Sequence, residues 1–370
     1  MVDKIHIKNF KCLKDNAINF RNLTVLAGTN SVGKSSVIQA LLLSKITIEK
    51  LIQFSQLAEA FKKNKKIEIP LNGKYLLNLG NTLEVLSRDV DSNIISFSLY
   101  NHQSKSEMFF PLIAEDNKLD SYNLELHESW INKNSFQDLQ EEFYYLNAER
   151  LGPRLTYDVE QQEFENVGYQ GEYAIQVLAQ NKENQIVNFE KRGYSNIQDP
   201  KLISQVRAWM SYIIPDFYID IAELEGKLKK AHTTYSKSSP TNVGFGISYV
   251  LPIVVNGLIA KENSLFIVEN PEAHLHPKGQ SNIGYFLAQL SNSGLQVVIE
   301  THSEHVINGI RRAAISTKGF DVKNILFNFF SKEIVKEINV LNNGDLDDFP
   351  IDFFDQTRQD LLEILKLSKR

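Results

Sequence analysis

Apolar residues recur along this chain at two spacings, and each spacing predicts a different element. Short, mostly apolar runs at 23–27 (LTVLA), 265–268 (LFIV) and 295–299 (LQVVI) read as buried parallel strands. Apolar positions three or four apart predict helices running on from Lys34 and over 171–180, 202–214, 248–260, 278–290 and 357–367. Alternation of Ile5 and Ile7 with polar neighbours marks 4–10 as an edge strand. Alternation also marks 95–99, 108–113 and 122–126 as an antiparallel β-subdomain inserted after the first long helix, with turns such as Asn72-Gly73. Further strands are expected at 217–224, 324–330 and 333–341. Between the first long helix and residue 240 no segment keeps a heptad pattern long enough for an extended coiled coil. The expected class is α/β. The expected divisions are 1–62 (strands, loop and helix), 63–145 (inserted, mainly β), 146–240 (helical and β lobe), 241–320 (central core) and 321–370 (closing strands and helix).

Composition narrows the classes without choosing among them. With 370 residues and 42% hydrophobic content the chain is long enough for a large core. A net charge of -5 argues against a generally basic surface, so nucleic-acid contact would need a local patch. The single cysteine, Cys12, forbids an internal disulfide and fits a reducing compartment. The start has no apolar leader, and the apolar run at 249–260 is broken by Pro252 and Gly257, so the expectation is a cytoplasmic protein with no membrane span.

One stretch carries chemistry by itself. Gly28-Thr-Asn-Ser-Val-Gly33-Lys34-Ser35 fits G-x-x-x-x-G-K-[ST], placed after a strand and before a helix as a phosphate-binding P-loop requires. Gly28 and Gly33 let backbone N–H groups curl round phosphate, with Asn30 in the loop and Ser36 just after it as further nucleotide contacts. Lys34 neutralises phosphate oxygens, Ser35 offers a hydroxyl to Mg²⁺, and the helix N-terminus adds its positive end. Far downstream, 265–277 (LFIVENPEAHLHP) delivers an acidic residue to a strand end, where open α/β sheets bind ligands. Gly244 and Gly246, before the helix at 248–260, make a second place for an anion, although glycines at a helix start also serve packing. Glu149, Arg150 and Arg154 follow another strand-to-loop junction and read either as a phosphate clamp or as structural arginines. Lysines 62, 63, 65 and 66 and lysines 227, 229 and 230 read first as solvated ends and second as DNA-facing patches. His274 and His276 with nearby glutamates invite a metal reading, but Pro277 beside them better suits a helix start.

The N-terminal pattern IHIKNFKCLKDNAINF…LAGTNSVGKSS, the NVGFGIS stretch, VENPEAHLHP and IETHSEHVING together resemble ABC-type ATPases of the SMC, RecF and OLD group. The nearest resemblance is to the short AAA-type ATPases of prokaryotic antiphage operons, such as the Septu ATPase PtuA, and it extends to the tail DLDDFPIDFFDQTRQDLLEIL. The resemblance implies a P-loop head of the ABC type that binds ATP and Mg²⁺ and works as a homodimer or higher homo-oligomer. Two such heads would enclose ATP between the P-loop of one and Asn242, Gly244, Gly246 and Ser248 of the other. It also makes His302 the switch residue that senses the γ-phosphate, and aligns Glu269 with the Mg²⁺-binding aspartate of the family.

Two departures bear on catalysis. Gly244 stands where the family pattern has a serine hydroxyl, leaving backbone N–H groups, Asn242 or Ser248 to make that contact. Asn270 stands where the catalytic glutamate is expected, and an amide has no accessible basic state, so Glu269 or Glu272 must take the proton or turnover is slow. Nothing after residue 320 resembles the Toprim nuclease domain that follows the ATPase in OLD proteins, so a nuclease or toxin effector is expected on a separate chain. The leading expectation is a nucleotide-gated regulator of such an effector in antiphage defence. The competing ones are a RecF-like DNA-binding repair ATPase and a nucleotide-binding scaffold with little turnover.

Overall fold

In the computed structural model these short apolar runs meet in one six-stranded sheet. The structure describes residues 1–57, 67–88, 94–101, 104–111, 120–126, 143–154, 157–161, 164–221, 230–231, 233–235, 244–332, 334–350, 353–354 and 356–368. The strands that matter below are β1 (Lys4–Phe10), β2 (Leu13–Asn19), β3 (Leu23–Gly28), β4 (Ile94–Asn101), β5 (Ser104–Pro111), β6 (Phe143–Leu146), β7 (Leu265–Glu269), β8 (Gln296–Glu300), β9 (Ile325–Phe330) and β10 (Val335–Asn339). The main sheet runs β10-β9-β3-β8-β7-β6, parallel throughout except for β10 at one edge.

Its inner strands β3, β7, β8 and β9 are buried on both faces, which is why they read as runs rather than alternations. Their side chains divide by a period of two. Leu23, Val25 and Ala27 of β3, Phe266 and Val268 of β7, and Val297 and Ile299 of β8 enter one core, whereas Leu26, Leu265, Ile267 and Val298 enter the other. The first core is covered by α2 (Ala174–Asn181), α3 (Leu202–Ile213), α4 (Phe245–Ile259), α5 (Pro277–Asn292) and α6 (Glu304–Ser316). The second holds α1 (Lys34–Leu57) and an antiparallel sheet in the order β2-β1-β4-β5. A last helix, α7 (Gln356–Leu367), exposes Leu361, Leu362, Ile364, Leu365 and Leu367. No described helix is long and apolar enough to cross a membrane, and the described helices form no long coiled coil.

Two expectations change. The strand at 4–10 is not an edge: β2 folds back on one side of it and β4 pairs on the other. The β2 partner was hidden because Lys14, Asp15 and Asn16 dilute its pattern, leaving Leu13 and Ile18 as its buried apolar positions. The expected division at 145/146 falls inside β6, which pairs with β7 in the central sheet. Lysines 62, 63, 65, 66, 227 and 229, and Asn242, lie outside the described residues.

Helices α5 and α6 cross with almost no side chain between them. A Cβ on Gly284 would lie 2.2 Å from the Val306 carbonyl oxygen, and one on Gly309 would lie 1.9 Å from that of Ser281. Backbone cannot yield as a side-chain end can, so Gly309→Ala should destabilise the fold by about 2–3 kcal/mol in denaturant unfolding. Gly244→Ala, with nothing within 4 Å of the added carbon, should leave stability unchanged.

Candidate functional site at the carboxyl ends of the central strands

β3 ends in a loop whose backbone only small or permissive residues can follow. Gly28 (φ 137°), Ser31 (φ 62°) and Gly33 (φ 112°) all take positive φ. A Cβ on Gly28 would strike the Phe330 carbonyl oxygen at 2.2 Å, and one on Gly33 would meet the Leu13 side chain at 2.8 Å. The loop therefore curls between β9 and the N-terminal hairpin before α1 begins at Lys34, a concave run of N–H groups at a helix N-terminus suited to phosphate. Lys34 Nζ donates to the carbonyls of Gly28 (3.0 Å) and Thr29 (2.5 Å), spanning the loop. Partial burial lowers its pKa, while Glu300 opposes that shift. Asn30 and Ser35 are exposed and Ser36 is buried.

The acidic side is built from two adjacent strand ends. β8 lies between β3 and β7, and Glu269 sits opposite Glu300 in the parallel register. Ser35 Oγ donates to Glu300 Oε1 at 2.8 Å, joining residues 265 positions apart. Glu300 is buried, and its Oε2 has no hydrogen-bond partner. Burial raises its pKa, against the pull of Ser35 and Lys34. Glu269 accepts from Tyr145 Oη at 2.8 Å. Burial, with Glu300 adding to it, pushes its pKa up to about 7.

Both shifts leave the carboxylates holding protons more tightly folded than unfolded. The sign follows: their contribution to stability is fully present below the ordinary carboxylate range and is lost as pH rises from there through about 7. In EDTA the wild-type melting temperature should fall across that window, and Glu269→Gln should fall less, as thermal melts at graded pH would record.

Around these carboxylates the chain makes a tight turn. Asn270 takes φ 44° and donates its N–H to the Glu300 carbonyl at 2.8 Å, while its side-chain oxygen is buried without a partner. Arg150 holds the turn from behind: Nη1 donates to the Glu269 carbonyl (2.7 Å) and Nη2 to that of Asn270 (2.6 Å). Its guanidinium also lies 5.3 Å from the ring centre of Tyr249 on α4, and burial lowers its pKa to about 10. Of the two readings open for Arg150, the structural one describes its hydrogen bonds. Glu272 has both oxygens engaged, one by Thr301 Oγ1 and one by the His302 N–H, each at 2.8 Å. His302 lies just beyond β8, and partial desolvation of its ring together with Lys34 lowers its pKa, favouring neutral imidazole.

The glycine stretch lies next to the turn after β7. Gly244 is exposed at the N-cap of α4, and a Cβ on Gly246 would lie 2.8 Å from the His274 carbonyl oxygen. The His274 ring packs against Phe245 and Tyr249, at 5.4 and 4.6 Å between centroids. Ser248 is buried, with its hydroxyl unpartnered. The His276 ring caps α5 at Pro277, accepting from Lys278 N–H at 3.4 Å.

The sequence profile of the AAA ATPase domain family matches residues 1–216 and 194–307. The chain belongs to the AAA ATPase domain family. Among curated proteins, the Old nuclease of Escherichia phage P2 is 40% identical to this AAA ATPase domain over 48 residues, 13% of the chain and 8% of that nuclease. Among solved structures, the Smc head domain with an extended coiled coil, bound to the C-terminal domain of ScpA and derived from Pyrococcus furiosus, aligns over 100% of this chain and 99% of that one. Its TM-score is 0.50 at 10% identity. The SMC head domain from Thermotoga maritima aligns over 95% and 98% of the two chains, with TM-score 0.40 and 11% identity. The fold is that of an SMC-head-like P-loop ATPase, in accord with the ABC-type group that the motifs resemble.

An AAA ATPase domain implies a nucleotide and a divalent cation, and the residues present fit both. The loop supplies converging N–H groups and Lys34, and beside Ser35 the polar groups are hard oxygen donors, including the orphaned Glu300 Oε2, as Mg²⁺ prefers. Pattern reading missed two residues of this site, Glu300 and Tyr145. For Glu300 a signal existed, an acidic residue ending a buried strand.

Proposed function

We propose that the chain is a Mg²⁺-dependent ATPase head that works as a dimer and acts as a nucleotide-gated switch on an effector carried by another polypeptide. The observation that carries the proposal is the meeting of Ser35 with the acidic strand ends, which brings a phosphate loop and a set of carboxylates into one site. Lys34 and the loop N–H groups bind and orient the phosphates. Mg²⁺ would be held at Ser35 and would offset the negative charge of the nucleotide there. Glu269, whose pKa near 7 suits proton exchange, accepts the proton of the attacking water. Glu272, beyond the Asn270 turn, accepts from Thr301 Oγ1 and the His302 N–H, and Glu269 likewise accepts from two groups, Tyr145 Oη and the Ala148 N–H. The Asn270 amide orients water without taking a proton, and neutral His302 faces the γ-phosphate side as a hydrogen-bonding sensor.

The partner head's Gly244 and Gly246 N–H groups close over the nucleotide, so that ATP binds the closed dimer better than the open one. That difference in affinity is what drives the switch. Support for the antiphage setting comes from the motif resemblance, and the short match to the phage P2 Old nuclease supports the OLD-like grouping.

Complementation tests the shared site. Lys34→Ala and Gly244→Asp each break both sites of a homodimer, but a mixed dimer keeps one intact, so mixing the two inactive proteins should restore about a quarter of wild-type turnover under random pairing. No restored phosphate release from the mixture would exclude a site shared between copies.

A nucleotide-binding switch with little turnover is the second reading. Asn270 favours it, with a buried and unpartnered side-chain oxygen where a carboxylate base would stand. Phosphate release no higher than that of Lys34→Ala would select it.

A further inference from the structure

The two acidic strand ends are not equivalent. Neighbouring strands are about 4.8 Å apart, so Glu300 on β8 stands one strand from the P-loop strand β3, and Glu269 on β7 stands two. Glu300 alone touches the loop helix, through Ser35 Oγ at 2.8 Å. Its second oxygen is buried and unpartnered on a residue only 5% exposed. Glu269 is turned to the far side, where Tyr145 of β6 donates to it, and Arg150 fixes its backbone carbonyl.

Resting on the ATPase reading, we infer that Glu300, with Ser35, supplies the protein's oxygen contacts to the divalent cation, the post that alignment on the proline gives to Glu269. A buried carboxylate oxygen without a donor is costly while ionised, and either a proton or a cation with its bound water relieves that cost. This oxygen is the unpartnered carboxylate oxygen beside the serine that Mg²⁺ requires. Ser35 then either donates its proton to Glu300 or turns a lone pair to the metal, and Glu300 guides that exchange. Glu269 is held instead by Tyr145 Oη and the Ala148 N–H, neither of which belongs to the loop.

Glu300→Gln separates this role from mere support of Ser35, because the amide oxygen still accepts from the hydroxyl while the charge is gone. Binding of a slowly hydrolysed thio-analogue of ATP is titrated in EDTA and at graded Mg²⁺, and Mn²⁺ uptake is read directly by paramagnetic resonance. The expected result is analogue affinity in EDTA within about two-fold of wild type, with the Mg²⁺ or Mn²⁺ needed for half-effect raised about ten-fold or more. Glu269→Gln should shift the metal requirement far less. An unchanged metal requirement in Glu300→Gln overturns the inference, as does an equal weakening in EDTA and in Mg²⁺, which marks a structural role. If Glu300→Gln does not fold, Glu300→Asp, which keeps the charge but withdraws it by one methylene, must show a raised metal requirement or the inference fails. Absence of analogue binding by the wild type under both conditions would instead overturn the ATPase reading on which it rests.

Discussion

Lys34→Ala should lose ATP binding and turnover together, with turnover falling about 10²-fold or more, the scale for removing one well-placed electrostatic contact. The loss has two sources. Lys34 is the cation of the phosphate loop, and its ammonium also ties the carbonyls of Gly28 and Thr29, so removing it relaxes the curled loop as well as uncharging it. Fluorescence titration of an ATP analogue, paired with phosphate release, measures both. Stability should stay near that of wild type, because the buried lysine is costly to desolvate and its removal offsets the lost loop contacts.

Glu269→Gln should separate binding from turnover. The glutamine retains the shape and an oxygen to accept from Tyr145, so ATP should bind with affinity close to that of wild type. Without a base, turnover should fall about 10²–10⁴-fold. If two heads enclose the nucleotide, this variant should also accumulate as an ATP-held dimer, visible by light scattering with Mg²⁺ and ATP and absent with ADP. Glu272→Gln offers the contrast. Losing one of the two acceptors that hold Thr301 and the His302 backbone should loosen the switch loop and lower turnover by a smaller factor.

The P-loop, the acidic strand and the strand before His302 were legible in the sequence because each is a local pattern: a fixed spacing of glycines, or a short apolar run with a polar end. The helix at α4 was equally plain despite Pro252, because apolar side chains surround it on the α2, α3 and α5 side of the sheet. What could not be read was adjacency. Glu300 closes β8 as visibly as Glu269 closes β7, but only the order β3-β8-β7 shows that Glu300 is the nearer to Ser35. The ambiguity over Arg150 had the same origin, since its partners are carbonyls about 120 residues away that lie at hand only after β6 has joined β7. β2 was hidden for a different reason: it is a polar strand made regular by its hydrogen bonds to β1 rather than by its own side chains.

The central claim is that one chain's phosphate loop and acidic strand ends make a Mg²⁺-dependent ATP-hydrolysing site, and steady-state phosphate release tests it most directly. The account predicts release by the wild-type chain with ATP and Mg²⁺ that disappears in EDTA and in Lys34→Ala. Release that is the same for wild type and Lys34→Ala, or indifferent to EDTA, would contradict it.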